Sequence, residues 1–388
     1  MSNNRPACYA PWVSTYLHST GQVVPCCEWK QDISSIKIKE HMSLEERFNH
    51  PESKRIRNEL LASSDLPPEC INCAEMEKHT SQRSLRQIYD DLVNDTTDYR
   101  FNEDEFKLLN MDYMESNLCN FSCMMCGSSL SSTHAKINDE YGKTGILKNT
   151  HELQEYLDRL DEVQTIQFKG GEPLLTESMW TTIKEVKRRG LEKQIKVSIV
   201  TNGSLLHRHD DNLIEILQGF KHVSIGVSID CIETAHDYWR SSNSWKTVKQ
   251  NCDELYKWKL KNKHRVSCIV RTAIGWPNAY AAKDVFDMFK DKNIQHHWNL
   301  ITGPIGLSLP MLPQEELEKL AEYWKDYPDV AQMFNSTVSS PNMFETVKSI
   351  RTLEHVEKHR DITFEEAFPD MAHIYHKYDQ HKNNPYLG

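Results

Sequence analysis

No run of apolar residues in this chain approaches the roughly 20 needed to cross a bilayer, so a membrane-spanning protein is not expected. A positive balance is missing too. Against 56 Asp and Glu there are 46 Lys and Arg, a formal charge of −10, which disfavours a nucleic-acid partner held by its phosphates. The opening residues, Met1-Ser2-Asn3-Asn4-Arg5-Pro6, lack the apolar stretch of a secretory signal, and a cytoplasmic protein is expected. Internal repeats and low-complexity tracts are also absent. In a reducing compartment 11 cysteines do not read as a disulfide framework. Clustered cysteines there read as metal ligands, and eight of them are clustered. Cys8, Cys26, Cys27, Cys70 and Cys73 lie near the N-terminus, and Cys119, Cys123 and Cys126 follow. Cys231, Cys252 and Cys268 are scattered, as small buried hydrophobes are.

The second group is the more compact. Cys119-Asn120-Phe121-Ser122-Cys123-Met124-Met125-Cys126 places three thiols in eight residues, and no fourth cysteine stands nearby. Three thiolates can hold three corners of a 4Fe-4S cubane and leave one iron open to a second molecule. A tetrahedral zinc ion that borrows a distant fourth ligand is the competing reading.

Residues 109–305 alternate short apolar stretches with amphipathic ones, the pattern of repeated β-α units on a parallel sheet. Strands are expected near 109–115, 165–169, 196–201, 222–229, 265–272 and 295–301. Helices are expected around 129–141, 177–189, 212–220, 245–259 and 279–290, with one more at 151–160. Six such units are too few to close an eight-stranded barrel. The fold class expected is therefore α/β, a partial (β/α)6 barrel. Ligands of such sheets lie beyond the carboxyl ends of the strands, and three runs fall there: Gly170-Gly171-Glu172-Pro173, Thr201-Asn202-Gly203 and Ser228-Ile229-Asp230. Paired glycines let a backbone approach a ligand without a Cβ between them. Alternation puts Ser228 and Asp230 on one face. Residues 1–85 form a separate N-terminal module with little periodicity before two short helices. Ser43-Leu44-Glu45-Glu46 is a capping box, and Pro51 suits the first turn of a helix running toward Leu61. Residues 86–108 connect to the core, and 306–388 form a mostly helical extension without assigned chemistry.

The C-x3-C-x2-C run after a first strand, with Gly-Gly-Glu-Pro after the second, resembles the radical S-adenosylmethionine (radical SAM) enzymes. The resemblance implies a 4Fe-4S cluster on Cys119, Cys123 and Cys126 with SAM on its open iron. It implies that Gly170, Gly171, Glu172 and Pro173 hold the amino group of SAM. Asn202, Ser228 and Asp230 would contact its ribose or methionyl end, and Arg240 is a candidate for its carboxylate. One electron from a reducing partner such as flavodoxin or ferredoxin would cleave SAM to a 5′-deoxyadenosyl radical, which takes a hydrogen atom from the substrate. Two positions depart from the family: Met125 stands where an aromatic residue is usual, and Cys231 where relatives often have Gly.

Cys8, then Gly21-x4-Cys26-Cys27, then Cys70-Ile71-Asn72-Cys73 resembles the SPASM and twitch modules, which carry auxiliary 4Fe-4S clusters. The ligands implied are Cys8, Cys26, Cys70 and Cys73, for one cluster. Cys27 is the alternative to Cys26, and zinc is the alternative metal. In most relatives this module follows the core, whereas here it precedes it. Many of these enzymes modify peptides, so a peptide or protein substrate is expected, although no peptide-binding winged-helix segment is recognisable. A small metabolite such as a sugar or nucleotide derivative is the alternative, and a non-catalytic metal-cluster binding or regulatory protein a third reading. Cys231 and Cys268 are candidate hydrogen donors of the kind some relatives use to quench a substrate radical, against the plainer reading as buried thiols.

Overall fold

Strict alternation along Lys196–Thr201, where Val197, Ile199 and Thr201 are buried and their neighbours are not, gives a strand with one face packed inward. Thr165–Phe168 alternates in the same way, whereas Asn110–Tyr113 is buried throughout and Gln295–Leu300 has no buried residue. A computed structural model describes residues 5–18, 23–30, 42–79, 83–137, 153–241 and 243–383. The chain divides into two compact units, 1–117 with 146–199 and 215–223, and 118–145 with 200–214 and 224–388.

The first unit holds β1 (Ser14–Leu17), β2 (Val23–Val24), β3 (Asn110–Tyr113), β4 (Thr165–Phe168) and most of β5 (Lys196–Thr201). Their order is β2-β1-β3-β4-β5, parallel except for β2 against β1. Ser14 lies opposite Asn110, Asn110 opposite Thr165, and Thr165 opposite Lys196. One face is apolar, with Met111, Tyr113, Ile166 and Phe168 buried. The helix Glu177–Arg188 buries Met179, Trp180, Ile183 and Val186 along one stripe. The other face carries a polar chain: Asn110 Nδ2 donates to Ser14 Oγ at 3.0 Å, and Gln167 Nε2 to Asn110 Oδ1 at 3.1 Å. Tyr89 OH shares a hydrogen bond with Ser14 Oγ at 2.8 Å.

The N-terminal segment departs from expectation. Its residues Ser14–Leu17 extend the parallel sheet beyond β3. Four residues with three hydroxyls among them are too short and too polar to show periodicity. The capping box at Ser43 forms, with Glu46 N donating to Ser43 Oγ at 3.1 Å and Ser43 N to Glu46 Oε2 at 2.8 Å. The helices Leu44–Asn49 and Pro51–Ala62 follow as expected, and Ile71–His79 and Leu85–Asp95 are additional.

The second unit carries the hairpin strands β6 (His207–Arg208) and β7 (Asp211–Asn212), most of β8 (His222–Ser228), then β9 (Val266–Ile274) and β10 (Gln295–Leu300). Strand β9 lies between β8 and β10, and it runs parallel to β10 with Ile269 opposite Gln295. The fold is a mostly parallel α/β one, with the strands of a partial β/α barrel and a helical C-terminal extension. That extension is core rather than appendage. Leu317, Leu320, Phe334, Ile350, Leu353 and Tyr378 belong to one buried cluster with Cys231, Trp239 and Trp276. Among the described residues no helix is long and apolar enough to cross a membrane.

Candidate functional site

The cysteine loop of the second unit is held by hydroxyls rather than by strands. Thr133 Oγ1 donates to the Cys119 carbonyl at 2.6 Å, Ser131 Oγ to the Phe121 carbonyl at 2.6 Å, and Ser132 Oγ accepts from Cys119 N at 3.2 Å. Cys126 N closes a turn on the Cys123 carbonyl at 2.9 Å, and Met124 N reaches the Trp239 carbonyl at 2.9 Å. These ties are to loop backbone, so they do not depend on the thiols. Cys119 and Cys123 are buried and Cys126 half-buried. Burial, then the neighbouring Cys123, pushes the Cys126 thiol up to about 12. The Cys123 thiol is raised by burial, while Arg240 and Arg360 pull it back. Thiols in this state do not ionise alone, and iron or zinc would have to displace their protons.

Asn202, at the carboxyl end of β5, donates through Nδ2 to Asn120 Oδ1 at 2.9 Å and lies 3.9 Å from Cys119 Sγ. Gly203 follows with φ +75, and a Cβ there would stand 2.7 Å from Val227 Cγ1, so only glycine fits this turn. Ser228 is half-buried at the end of β8. Asp230 is 1% exposed, and its two oxygens are taken by Arg240 Nη1 at 2.6 Å and by Ala273 N at 2.7 Å. Burial raises the Asp230 carboxyl, and Arg240 opposes the shift. The structure therefore joins two residues that the sequence treated separately: Arg240 serves Asp230.

Cys231 and Cys268 are placed away from any accessible surface. Cys231 is wholly buried among Trp239, Trp276 and Ala279, and burial drives its thiol well above the usual range. Cys268 Sγ lies 3.6 Å from the Leu255 carbonyl of the helix Trp245–Lys261, so it points into a helix layer. Both have the surroundings of packing thiols. One residue that sequence reasoning passed over is Arg360, whose Nη2 donates to the Ser122 carbonyl and, at 3.0 Å, to Ser122 Oγ. It carries no motif, and only the fold brings it to this loop.

In the first unit Gly170 follows β4 with φ +130, and a Cβ would meet Met114 Cγ at 2.9 Å and the Ser116 carbonyl at 3.1 Å. Gly171 N donates to that same carbonyl at 3.3 Å. Glu172 is fully buried, and its carboxylate accepts Leu174 N at 3.1 Å as the cap of the short turn Pro173–Leu175. Its role here is to fix the backbone that the two glycines leave open. Gly170→Ala is expected to cost about 1–3 kcal/mol through strain at this φ and the close contact. The checks are urea unfolding and, on the same sample, a weakened SAM affinity by equilibrium binding.

Cys8, Cys26, Cys70 and Cys73 line one small cavity. They reach it from four places: ahead of the helix Ala10–Val13, just after β2, at the end of the turn Pro68–Cys70, and in the first turn of Ile71–His79. Burial and then Cys8, Cys27, Cys70 and Cys73 drive the Cys26 thiol well above its usual range. Gly21 lies outside the described residues. Cys27 does not line the cavity. Its Sγ accepts from Lys169 Nζ at 3.3 Å, and the same ammonium pairs with Asp112 at 2.7 Å. Consecutive cysteines thus have separate partners, and Cys26 is the one that faces Cys8, Cys70 and Cys73. Among the described residues no three His, Cys, Asp or Glu side chains converge closely enough for one metal ion. Tetrahedral zinc at 2.3 Å from each sulfur would need them about 3.8 Å apart. A cubane needs a wider set, and four thiols around one cavity fit that larger group.

Residues 116–278 match the radical SAM superfamily, and residues 8–74 match SPASM, an iron–sulfur cluster-binding domain. The chain carries a radical SAM domain preceded by a SPASM domain. The radical SAM domain is one that binds a 4Fe-4S cluster with SAM, and the SPASM domain binds further iron–sulfur clusters. A curated relative is the radical SAM cyclopropyl synthase TigE of Paramaledivibacter caminithermalis, 26% identical over 211 residues. That match takes in 51% of this chain and 40% of TigE, so the chain aligns with less than half of this relative. Among solved structures it is similar to native anSMEcpe with bound AdoMet and Kp18Cys peptide, at 19% identity and TM-score 0.39, covering 63% of this chain and 65% of that one. It is also similar to Streptococcus suis SuiB bound to S-adenosylmethionine, at 14% identity and TM-score 0.36, covering 83% and 69%.

Proposed function

We propose that this chain is an enzyme that cleaves SAM reductively at the cluster of the Cys119–Cys126 loop and takes a hydrogen atom from a peptide or protein substrate. The observation that carries the reading is the loop itself: three thiols, a backbone tied by the three hydroxyls of Ser131, Ser132 and Thr133, and no fourth cysteine before Cys231. When bound, the cluster and SAM supply the electron transfer and the 5′-deoxyadenosyl radical, chemistry no side chain offers. The residues supply position. Cys119, Cys123 and Cys126 would hold three irons. Asn202 fixes Asn120 beside Cys119, and the Arg240–Asp230 pair braces the strand end beyond Ser228. Gly170 and Gly171, with Glu172 and Pro173 holding their turn, leave a backbone open to the amino group of SAM.

The peptide reading rests on the SPASM domain, since relatives that combine it with a radical SAM core commonly modify peptides. Cys8, Cys26, Cys70 and Cys73 give a cluster with every corner held by protein, suited to passing electrons rather than binding substrate. Anaerobic incubation of iron-loaded protein with SAM and a strong reductant should yield 5′-deoxyadenosine and methionine. Full iron and sulfide loading with neither product would overturn the catalytic reading. A short peptide encoded beside the gene, deuterated and supplied to the same reaction, should transfer deuterium to 5′-deoxyadenosine. Transfer from a sugar or nucleotide instead would replace the substrate class. Changing both Cys70 and Cys73 to Ala should remove the iron of one cluster yet leave SAM cleavage measurable, by iron counting beside product assay.

A further inference from the structure

Two guanidinium groups are buried beside the cysteine loop, and one of them lacks a carboxylate. Arg240 has Asp230. Arg360, just beyond the helix Met343–Glu357, is 4% exposed, and among the described residues no carboxylate stands within ion-pair distance of it. Its Nη2 donates to the Ser122 carbonyl, to Ser122 Oγ at 3.0 Å and to the Arg240 carbonyl at 3.4 Å. Nη1 reaches the Asp237 carbonyl at 3.5 Å, and Nε has no partner. All of these acceptors are neutral. A buried cation without an anion is strongly unfavourable, and a guanidinium does not escape by losing its proton. The Asp237 carboxylate acts on it only from beyond ion-pair distance and already accepts from Ser244 N and Trp245 N at 2.8 Å, so an anion at the cysteine loop would compensate the charge more directly. Two of the four acceptors belong to Ser122, the residue between the first two cysteines of the loop. Burial pulls the Arg360 guanidinium down to about 10, and the Cys123 thiolate is the charge that most opposes this.

We propose that Arg360 is a positioning residue for the cluster of Cys119, Cys123 and Cys126. It pins the loop at Ser122, and its fixed positive charge offsets the negative charge of the cluster-bound thiolates, which makes one-electron reduction easier. The electron comes from the low-potential reducing partner, and no proton moves. This assignment rests on the function proposed above and extends it to residues 306–388, beyond the 116–278 that match the radical SAM superfamily. A unit charge in a dry site changes a neighbouring one-electron equilibrium by roughly tenfold.

The test is a redox titration followed by electron paramagnetic resonance, with the auxiliary cluster in each sample as internal reference. In Arg360→Met the ratio of reduced to oxidised SAM-site cluster at a fixed potential should fall roughly tenfold, while the auxiliary cluster titrates as in the wild type. Arg360→Lys keeps the charge and loses the planar fork, so its ratio should stay near the wild type. A Met variant that titrates like the wild type, or a Lys variant that shifts as far as the Met one, overturns the proposal. If Arg360→Met does not load iron, the Lys variant alone decides. Wild-type protein that titrates normally but yields no 5′-deoxyadenosine would defeat the catalytic reading and leave the charge effect standing.

Discussion

Replacing Cys119, Cys123 and Cys126 together with alanine will abolish 5′-deoxyadenosine formation and leave the iron of a single cluster. The first result follows because no other thiol replaces them: Cys231 is wholly buried, and Cys73, the nearest cysteine in sequence, lines the cavity it shares with Cys8, Cys26 and Cys70. The second follows because Cys8, Cys26, Cys70 and Cys73 lie in a different compact unit. The fold should survive, since Ser131, Ser132 and Thr133 bond to the backbone of Cys119 and Phe121, which alanine retains. What is lost includes the weak contacts to Cys119 Sγ from Phe121 N at 3.4 Å and Asn202 Nδ2 at 3.9 Å, and that of Cys126 Sγ with the Gly127 carbonyl at 3.7 Å. The measurements are iron content, circular dichroism and product yield on one preparation. Full iron content in the triple variant would show that the loop holds no cluster. Residual cleavage at wild-type rate would show that SAM is activated elsewhere.

Most of the β-α strands were legible because buried parallel strands are short apolar runs, and the two cysteine groups stood out because spacing is a local property. Both signals sit in consecutive residues. The elements that escaped are those whose reason for existing is distant in sequence. Ser14–Leu17 is a strand because Asn110–Tyr113 lies beside it. Arg360 belongs to the cysteine loop because the helix Met343–Glu357 packs through Ile350 and Leu353 into the cluster that contains Trp239. The choice between Cys26 and Cys27 was likewise closed to sequence, since adjacent residues share every local property. In the fold Cys27 bonds to Lys169 beside Asp112, whereas Cys26 lines the cavity with Cys8, Cys70 and Cys73. Arg240 is the instructive case. A motif comparison assigns it to a ligand, whereas the fold commits its charge to Asp230 first.

That commitment makes Arg240→Met the substitution with the largest expected cost in stability. Asp230 is 1% exposed and Arg240 8%, so the pair is held out of water. Removing one partner of a buried pair typically costs about 3–5 kcal/mol, because the other is left charged and unsolvated. Only Ala273 N, at 2.7 Å, would still satisfy the carboxylate. The carboxyl responds by holding its proton. Its folded-state value, already raised by burial against Arg240's pull, must rise further once Arg240 is gone. The sign of the pH dependence follows. An acid whose folded value lies above its unfolded one binds more protons when folded, so stability falls as pH rises through the folded value. Arg240→Met should therefore lose most stability relative to wild type at neutral pH and recover part of it in acid. Asp230→Asn added to Arg240→Met removes the orphaned charge and keeps an acceptor for Ala273 N, so the double variant should regain much of the loss and show little pH dependence. Urea unfolding of the three proteins between mildly acid and neutral pH measures both effects. A single variant within about 1 kcal/mol of wild type across that range would place the pair in the class of weak surface bridges. A double variant no better than the single would mean that Arg240 acts through the cysteine loop rather than through Asp230.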